Sequence, residues 1–167
     1  MQDCTIAYCG VPGSLSHTIA VRHFGGDNTF LSTAKPEEVF ILLESGEARY
    51  GVIRLENSLI GAIRENFDNL LNHSVFITGE EYCKTAYALL GVPVKGKSME
   101  ERLSMLKKVV SHHRAIEQCK PFLEDHPFLE PTIWSDTGRA AQYVADCRDP
   151  EIAAIAAKEA AKIYGLD

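Results

Sequence analysis

Short apolar runs alternate along the chain with longer stretches in which apolar residues recur at helical spacing. The run over residues 4–9 predicts a buried strand, and it stops at the turn-forming sequence GVPG of residues 10–13. Ser14 or Ser16 can then cap a helix that runs to Phe24, where a Gly-Gly pair ends it. This alternation of strands and helices is typical of a mixed α/β fold.

The same signals predict the remaining elements. Pro36 begins a helix that stops at Gly46, and another helix reaches Leu71 after the sequence ENS of residues 56–58. Ser111 stands at the end of a strand, where it can cap a helix that runs through Leu123. Further strands are predicted over 29–31, 50–55, 75–78, 83–90, 107–111, 132–134 and 152–156, a polar loop over 91–101, and two helices from 135–137 to 147 and from 157 to 164.

Composition and charge exclude several classes of function. The 167 residues are 46% hydrophobic and 24% charged, which are globular proportions for one domain or for two small lobes that share a core. The formal net charge is −6 and the basic residues are scattered, so nucleic acid is not an expected partner. No apolar run approaches the roughly 20 residues that span a bilayer, and the N-terminus does not resemble a signal peptide. We therefore expect a cytoplasmic protein without a membrane partner.

The cysteines and histidines do not form a recognisable metal site. The five cysteines are an odd number without a Cys-x-x-Cys pair, which disfavours both a disulfide framework and a zinc ribbon. His112 and His113 are adjacent and point in different directions, and no His-x-x-x-His pair is present. We therefore expect no metal, and we interpret the cysteines as small buried hydrophobic residues in a reducing compartment.

One arrangement recurs at the ends of the predicted strands, where small hydroxyl or amide residues open the next helix. Each such junction presents unpaired backbone N–H groups and the positive end of a helix dipole, so each can hold an anion. Any one of them taken singly is more often only a helix cap. Together, in one crevice, they would bind a substrate with more than one carboxylate. The junctions are residues 10–16, residues 56–58, Ser111, and residues 135–137.

Five strings of the sequence resemble, in order and spacing, the prephenate dehydratase family and the similar arogenate dehydratases. The resemblance covers nearly the whole chain, and its strings are GVPGSLSH (10–17), YGVIRLENSLIGAI (50–63), VVSHHRAIEQC (109–119), SDTGRAA (135–141) and AAIAAKEAAKIYGL (153–166). It implies a cofactor-free lyase of phenylalanine biosynthesis that converts prephenate to phenylpyruvate with loss of carbon dioxide and water. It also implies a homodimer and a two-lobed fold like that of type II periplasmic binding proteins. On this fold we expect lobe 1 over about residues 1–77 plus the C-terminal helix, and lobe 2 over about 78–156.

The resemblance and the residue types together place nine residues at the site. The predicted catalytic residues are Glu56, Asn57, Ser58 and Gln118, and the predicted substrate-binding residues are Gly13, Ser14, Ser16, Ser111 and Thr137.

The residue types suggest roles that agree with this assignment. Ser111, Thr137 and the backbone around Gly13 and Ser14 are candidates for binding anions, while the amides of Asn57 and Gln118 are neutral groups that can orient a substrate. Glu56 is the only acid in the set. Buried and protonated, it could donate to a departing hydroxyl. Alternatively it is a structural residue bonded to backbone N–H groups.

The sequence departs from the family at several positions. Arg54 replaces a usual proline, Ala62 a usual serine, and residues 113–114 a usual Pro-Gln pair, while the run that begins at Asn66 is closer to the arogenate branch. Family members normally continue past the Tyr-Gly-Leu string to a Thr-Arg-Phe motif whose threonine is taken as essential, and often to a regulatory ACT domain. This chain stops at Asp167, which suggests a truncated piece of a longer polypeptide or a naturally short protein.

These departures leave other functions open. Within the family, the alternatives are an arogenate dehydratase and a decarboxylase that does not aromatise the ring of prephenate. In a different class, the same two-lobed fold could serve a non-catalytic protein that binds an aromatic carboxylate.

Overall fold

The computed structural model describes residues 4–58 and 61–167, and contacts between Cα atoms divide the chain into two units at Cys83 and Lys84. Both units combine helices with β-sheets, as the hydrophobic pattern predicts. Among the described residues, no helix is long and apolar enough to cross a membrane.

The first unit is built on a three-stranded parallel sheet with the strand order β2-β1-β3. The central strand β1 carries Ile6, Ala7 and Tyr8, whose exposed fractions are 0–1%, because it has a neighbouring strand on both sides and helices packed against it. The elements of this unit are β1 (Thr5–Cys9), α1 (Leu15–Phe24), β2 (Thr29–Thr33), α2 (Pro36–Glu44), β3 (Tyr50–Val52), β4 (Glu56–Asn57), β5 (Gly61–Ala62) and α3 (Arg64–Asn72).

The helix predicted to open at Ser58 does not begin there. Instead, β4 and β5 form an antiparallel hairpin in which Glu56 pairs with Ala62 and Asn57 with Gly61. Ser58 lies in the connection between these strands, and α3 starts only after Ile63. Sequence alone did not reveal the hairpin because each of its strands has only two residues and therefore no alternating pattern.

The strand predicted over 75–78 is absent, and the strand predicted over 83–90 is shortened to β6 (Tyr87–Gly91). Residues 73–86 have no regular secondary structure. Phe76 is 92% exposed and Ile77 is 67% exposed, so the apolar residues that suggested a strand do not face a core.

Two groups of polar contacts hold the segment 73–86 to the helices of the first unit. The Nδ1 atom of His73 lies 2.7 Å from Glu44 Oε2, and the backbone N–H of Ser74 donates to Glu44 Oε1 at 2.7 Å. These bonds, that from His73 above all, lower the pKa of the Glu44 carboxyl. Farther along the segment, Glu81 accepts from His23 at 2.8 Å and from Arg22 at 3.1 Å.

The second unit contains a four-stranded sheet with the order β6-β9-β7-β8, in which only β6 runs antiparallel to its neighbour. The inner strand β9 consists of four alanines and two isoleucines, and residues 153–156 are at most 2% exposed because helices pack closely on this strand. The other elements are α4 (Met99–Met105), β7 (Lys108–His112), α5 (His113–Gln118), α6 (Lys120–Asp125), β8 (Glu130–Trp134), α7 (Thr137–Cys147), β9 (Ile152–Ala157) and α8 (Lys158–Tyr164).

Three local predictions differ from the structure of the second unit. The polar loop expected over 91–101 already contains the start of α4, which Ser98 and Glu101 cap reciprocally. The helix expected to run through Leu123 is divided at Cys119 into α5 and α6, with Pro121 in the first turn of α6. The last helix, α8, packs with α7 and β9 through Ala160, within the second unit, although the sequence analysis placed it with the first lobe.

Gly51 provides a test of how closely α2 packs on the first sheet. A Cβ atom at this position would lie 2.7 Å from Val39 Cγ1 and 2.9 Å from Leu43 Cδ1. We expect Gly51→Ala to lower the free energy of unfolding by about 1–3 kcal/mol because of overpacking. Urea unfolding followed by far-UV circular dichroism measures this change.

The matched control is Gly26→Ala, since a Cβ atom there meets nothing within 4 Å. This substitution should change the unfolding free energy by less than about 1 kcal/mol. Equal losses in the two variants would contradict the packing of α2 described here.

Candidate functional site

The loop between β1 and α1, together with the first turn of α1, carries three of the predicted binding residues. Gly10 and Gly13 have φ values of 116° and 82°, a region of backbone conformation that favours glycine, and this allows the sharp turn out of the strand. The side chain of Ser14 caps α1 by accepting from the backbone N–H of His17 at 3.3 Å. Ser14 is 3% exposed and Ser16 is 5% exposed, so both lie largely within the unit.

His17 was not singled out from the sequence, although it belongs to the string that carries the resemblance. Its Nδ1 atom accepts a hydrogen bond from the backbone N–H of Gly13 at 3.1 Å, and its ring contacts those of Tyr8 and Phe30. Burial lowers the pKa of the imidazole, so the neutral ring with its proton on Nε2 fits this contact. The N–H of Gly13, predicted to bind an anion, is therefore already engaged by a side chain.

The other end of the same loop is held by Ser32. Its hydroxyl donates to the carbonyl oxygen of Gly10, and the N–H of Gly10 donates to Thr33 O at 2.9 Å. Burial raises the pKa of the neighbouring Tyr8 phenol, while a hydrogen bond with Ser32 opposes that rise. The loop is thus fixed on both sides by groups of β1, β2 and α1.

The hairpin β4-β5 carries the Glu-Asn-Ser sequence. Glu56 and Ser58 are exposed, whereas Asn57 is half-buried. The fold of this unit by itself does not bury Glu56, and its proposed role at the site stays a prediction. Asn57 is the member of the three that the fold shields most.

Ser111 is fully buried in β7 and does not cap α5. Its hydroxyl donates to the carbonyl oxygen of Ile155 on β9 at 2.5 Å, while His112 is the N-cap of α5 and accepts from Arg114 N at 3.4 Å. The prediction that Ser111 caps this helix is wrong because the strand extends one residue further than expected. Gln118 is the last residue of α5 and is half-buried.

Thr137 is the first residue of α7, and Asp136 is the N-cap of that helix. One carboxylate oxygen of Asp136 accepts from Gly138 N at 2.8 Å and from Arg139 N at 3.1 Å. These first-turn N–H groups are therefore occupied by an anion of the protein itself. The hydroxyls of this junction belong to Thr137, which is half-buried, and to Ser135, which is exposed.

The starts of α5 and α7 lie at the same edge of the second sheet. The strands β7 and β8 that precede these helices are parallel neighbours, and His112 pairs in register with Trp134. Trp134 also stacks on Tyr143, with ring centroids 4.6 Å apart, and this pair lines an open groove together with Ser135, Arg139, Gln142 and Asp146. Sequence reasoning did not single out this aromatic pair, whose members lie nine positions apart on different elements.

The structure therefore places the predicted site residues in three local groups. Gly13, Ser14 and Ser16 lie in and after the first loop, the Glu-Asn-Ser sequence lies in the hairpin of the same unit, and Ser111, Gln118 and Thr137 lie in the second unit. Their convergence on one crevice stays a prediction.

A family model described as prephenate dehydratase matches residues 6–167. The chain belongs to the prephenate dehydratase family. Its relatives include a bifunctional chorismate mutase/prephenate dehydratase of Stutzerimonas stutzeri, which is 32% identical over 99% of this chain and 43% of its own length. Another is arogenate dehydratase/prephenate dehydratase 1, chloroplastic, of Arabidopsis thaliana, at 35% identity over 97% of this chain and 39% of that protein. The chain thus spans about two fifths of the length of these curated relatives.

Solved structures support the fold class. Prephenate dehydratase from Arthrobacter aurescens in complex with L-Phe has a TM-score of 0.77 and 22% identity over 98% of this chain and 53% of its own. A protein described as GqqA, a novel type of quorum quenching acylase, has a TM-score of 0.85 and 27% identity over 98% of this chain and 57% of its own. The predicted α/β fold of the periplasmic-binding-protein type is thereby confirmed.

Ser111→Ala tests the part that this hydroxyl takes in the fold. We expect the variant to lose about 1–3 kcal/mol of stability, because the buried Ile155 carbonyl would lose its donor. The measurement is urea unfolding of the two proteins, together with titration of each with prephenate. Ser135→Ala, at an exposed position of the same unit, is the control and should leave stability unchanged. A loss of prephenate affinity without a loss of stability would instead make Ser111 a substrate ligand.

His17→Asn tests the neutral imidazole. Asparagine keeps a hydrogen-bond acceptor near the position of Nδ1 but does not titrate. Because the folded pKa of His17 lies below its unfolded value of about 6.5, the unfolded chain binds the proton more readily, and stability falls as the pH drops below 6.5. Wild type should lose stability relative to the variant between pH 7.5 and pH 5, as thermal unfolding at each pH would show. Parallel pH profiles would contradict a buried neutral His17.

Proposed function

We propose that this chain carries out the decarboxylating dehydration of prephenate to phenylpyruvate, a step in the biosynthesis of L-phenylalanine. The observation that carries the proposal is the family match over residues 6–167, which includes the Glu-Asn-Ser hairpin and the Ser-His string after β7. Relatives with prephenate dehydratase in their names are 32–35% identical to this chain.

Protein side chains can catalyse this reaction because formation of the aromatic ring provides its driving force. The bond between the ring and its carboxylate breaks, carbon dioxide leaves, and the electron pair of that bond enters the ring. At the opposite ring carbon the C–O bond breaks, and the hydroxyl departs with a proton as water. The enzyme must hold the two carboxylates of prephenate and assist the hydroxyl by hydrogen bonding or protonation.

The described residues suggest how these tasks are divided. We assign to Asn57 and Gln118, whose neutral amides can donate, the task of assisting the departing hydroxyl. Glu56 and Ser58, which belong to the same hairpin as Asn57, are assigned to this task as well. We assign Ser14, Ser16 and Thr137 to the carboxylates through their hydroxyls, with Gly13 shaping the loop and Ser111 supporting the edge of the second sheet.

The finer properties of the protein belong to the same proposal. Prephenate is the proposed substrate and arogenate the alternative, since one Arabidopsis relative carries both dehydratase names. We also propose a homodimer, the commonest symmetric assembly, and a cytoplasmic location. No cofactor takes part in the proposed reaction.

A second candidate function is suggested by the structural neighbour described as a quorum quenching acylase, at 27% identity and a TM-score of 0.85. An acylase cleaves an acyl group from an amide with the uptake of water. Release of nitroaniline from acyl nitroanilides would detect such an activity in this chain.

The deciding experiment incubates the chain with prephenate and, separately, with arogenate. We expect prephenate to yield phenylpyruvate, which is measured by its ultraviolet absorbance in alkali, whereas arogenate would yield phenylalanine. Consumption of prephenate without this chromophore would indicate a non-aromatising decarboxylase. Prephenate that is bound but unchanged would indicate a binding protein, and either result would overturn the proposal.

Asn57→Ala tests the hairpin in this reaction. Loss of one hydrogen bond from its amide to the developing charge on the departing hydroxyl should lower kcat/KM for prephenate roughly 10- to 150-fold. Steady-state kinetics of phenylpyruvate formation measure the effect. The control is Glu65→Gln, at an exposed position in the first turn of α3, which should retain wild-type kinetics. Unchanged kcat/KM in Asn57→Ala would remove the hairpin from the mechanism.

A further inference from the structure

Asn66 is a buried polar residue on a helix turn that is otherwise exposed. Its exposed fraction is 4%, whereas Glu65, Phe67 and Asp68 beside it are exposed. Burial of an amide is unfavourable unless its polar atoms find partners, so this position calls for a specific contact.

That contact joins α3 to the irregular segment 53–55 that leads into the Glu-Asn-Ser hairpin. The Nδ2 atom of Asn66 donates to the carbonyl oxygen of Arg54 at 2.8 Å. Next to it, the backbone N–H of Ile63 donates to Leu55 O at 2.8 Å, and Asn66 N donates to Ile63 O at 3.0 Å. These bonds close the base of the hairpin at the point where it meets the helix.

The orientation of the Asn66 amide follows from the same contact. Rotation by half a turn would bring its Oδ1 atom against the carbonyl oxygen of Arg54, where two acceptors would repel each other. In the arrangement observed, Oδ1 is buried without a hydrogen-bond partner in the described part of the chain. The donor end of the amide is therefore the end that the fold uses.

The hairpin needs such support because it is very short. Its ladder consists of the pairs Glu56–Ala62 and Asn57–Gly61, and isolated two-stranded hairpins are marginal in water. The directions of the Glu56 and Asn57 side chains thus depend on how firmly the base of the hairpin is held. A small displacement of catalytic groups is enough to reduce the rate of a reaction substantially.

We propose that Asn66 is a positioning residue of the reaction, which acts by donating from Nδ2 to the Arg54 carbonyl and thereby holds the Glu56–Asn57 hairpin in its productive orientation. The catalytic part of this inference rests on the proposed function. The structural part, that the Asn66–Arg54 hydrogen bond holds the base of the hairpin, is independent of the proposed function.

The sharpest variant is Asn66→Asp, which preserves the shape of the side chain and replaces the donor by an acceptor. At pH 7.5 the ionised carboxylate cannot donate to Arg54 O, and kcat/KM for prephenate should fall about 10- to 100-fold, mainly in kcat. Protonation of the introduced carboxyl restores a donor, and burial beside a carbonyl raises its pKa, so the deficit relative to wild type should narrow toward pH 5.

Asp68→Asn is the matched control, because it makes the reverse exchange at an exposed position on the same helix. The charged residues of the elements that carry the contact are Arg54, Glu56, Arg64, Glu65 and Asp68, all exposed and all unchanged in Asn66→Asp. If kcat/KM for prephenate recovers toward pH 5 in Asn66→Asp but shows no such change in Asp68→Asn, the recovery therefore comes from position 66. A purely structural role would lower stability at pH 7.5 and restore it toward pH 5, but would leave kcat/KM of the folded variant unchanged.

Amide hydrogen exchange separates the inference from the proposed function. In Asn66→Asp at pH 7.5, the amides of the hairpin and of Ile63 should exchange at least tenfold faster, while those of β9 in the second unit stay protected. If the wild-type protein is inactive on both prephenate and arogenate, the proposed function is refuted. The hydrogen-exchange data would still test whether Asn66 holds the base of the hairpin. Wild-type exchange and kinetics in Asn66→Asp would overturn the inference. So would a variant that fails to fold at both pH values, since Asn66 would then serve packing alone.

Discussion

Backbone polar groups at the ends of strands need hydrogen-bond partners once they are shielded from water, and this requirement governs the candidate residues of this chain. The ring of His17 accepts from Gly13, the hydroxyl of Ser111 donates to Ile155, and the amide of Asn66 donates to Arg54. In each case a polar side chain satisfies the backbone of a different element. Leaving one of these groups unpaired would cost about 1–3 kcal/mol, a large share of the stability of a small domain.

This constraint changes the expected electrostatics of the site. Helix starts were expected to supply positive potential for a dicarboxylate, since the chain is acidic overall. At α7, however, the Asp136 carboxylate already accepts from two first-turn N–H groups. In the first loop, His17 engages the N–H of Gly13. In the proposed function, hydroxyls and neutral amides are therefore the groups assigned to binding the carboxylates and to assisting the departure of the hydroxyl.

Support of the hairpin links the fold to the proposed chemistry. Two-residue strands have little stability of their own, so α3 and the Arg54 carbonyl determine where Glu56 and Asn57 lie. The same principle holds for the segment 73–86, which lacks regular structure and is held by Glu44 and by Glu81. Under the proposed function, Asn66 and Arg54 would thus fix the geometry of hairpin residues without touching the substrate themselves.

The sequence by itself determined the order of the long elements, a cap at Ser14 or Ser16, another cap within residues 135–137, and the resemblance to the family. Apolar periodicity, glycine stops and capping residues act over a few positions and can be read locally. Only the tertiary structure decided that Ser111 bonds to β9, that the Glu-Asn-Ser sequence forms a hairpin, and that Glu56 is exposed. The partner of Ser111 is Ile155, 44 positions along the chain, and no local pattern encodes which distant carbonyl a buried hydroxyl will meet. The strands of the hairpin are close in sequence, but with two residues each they are too short to show an alternating pattern.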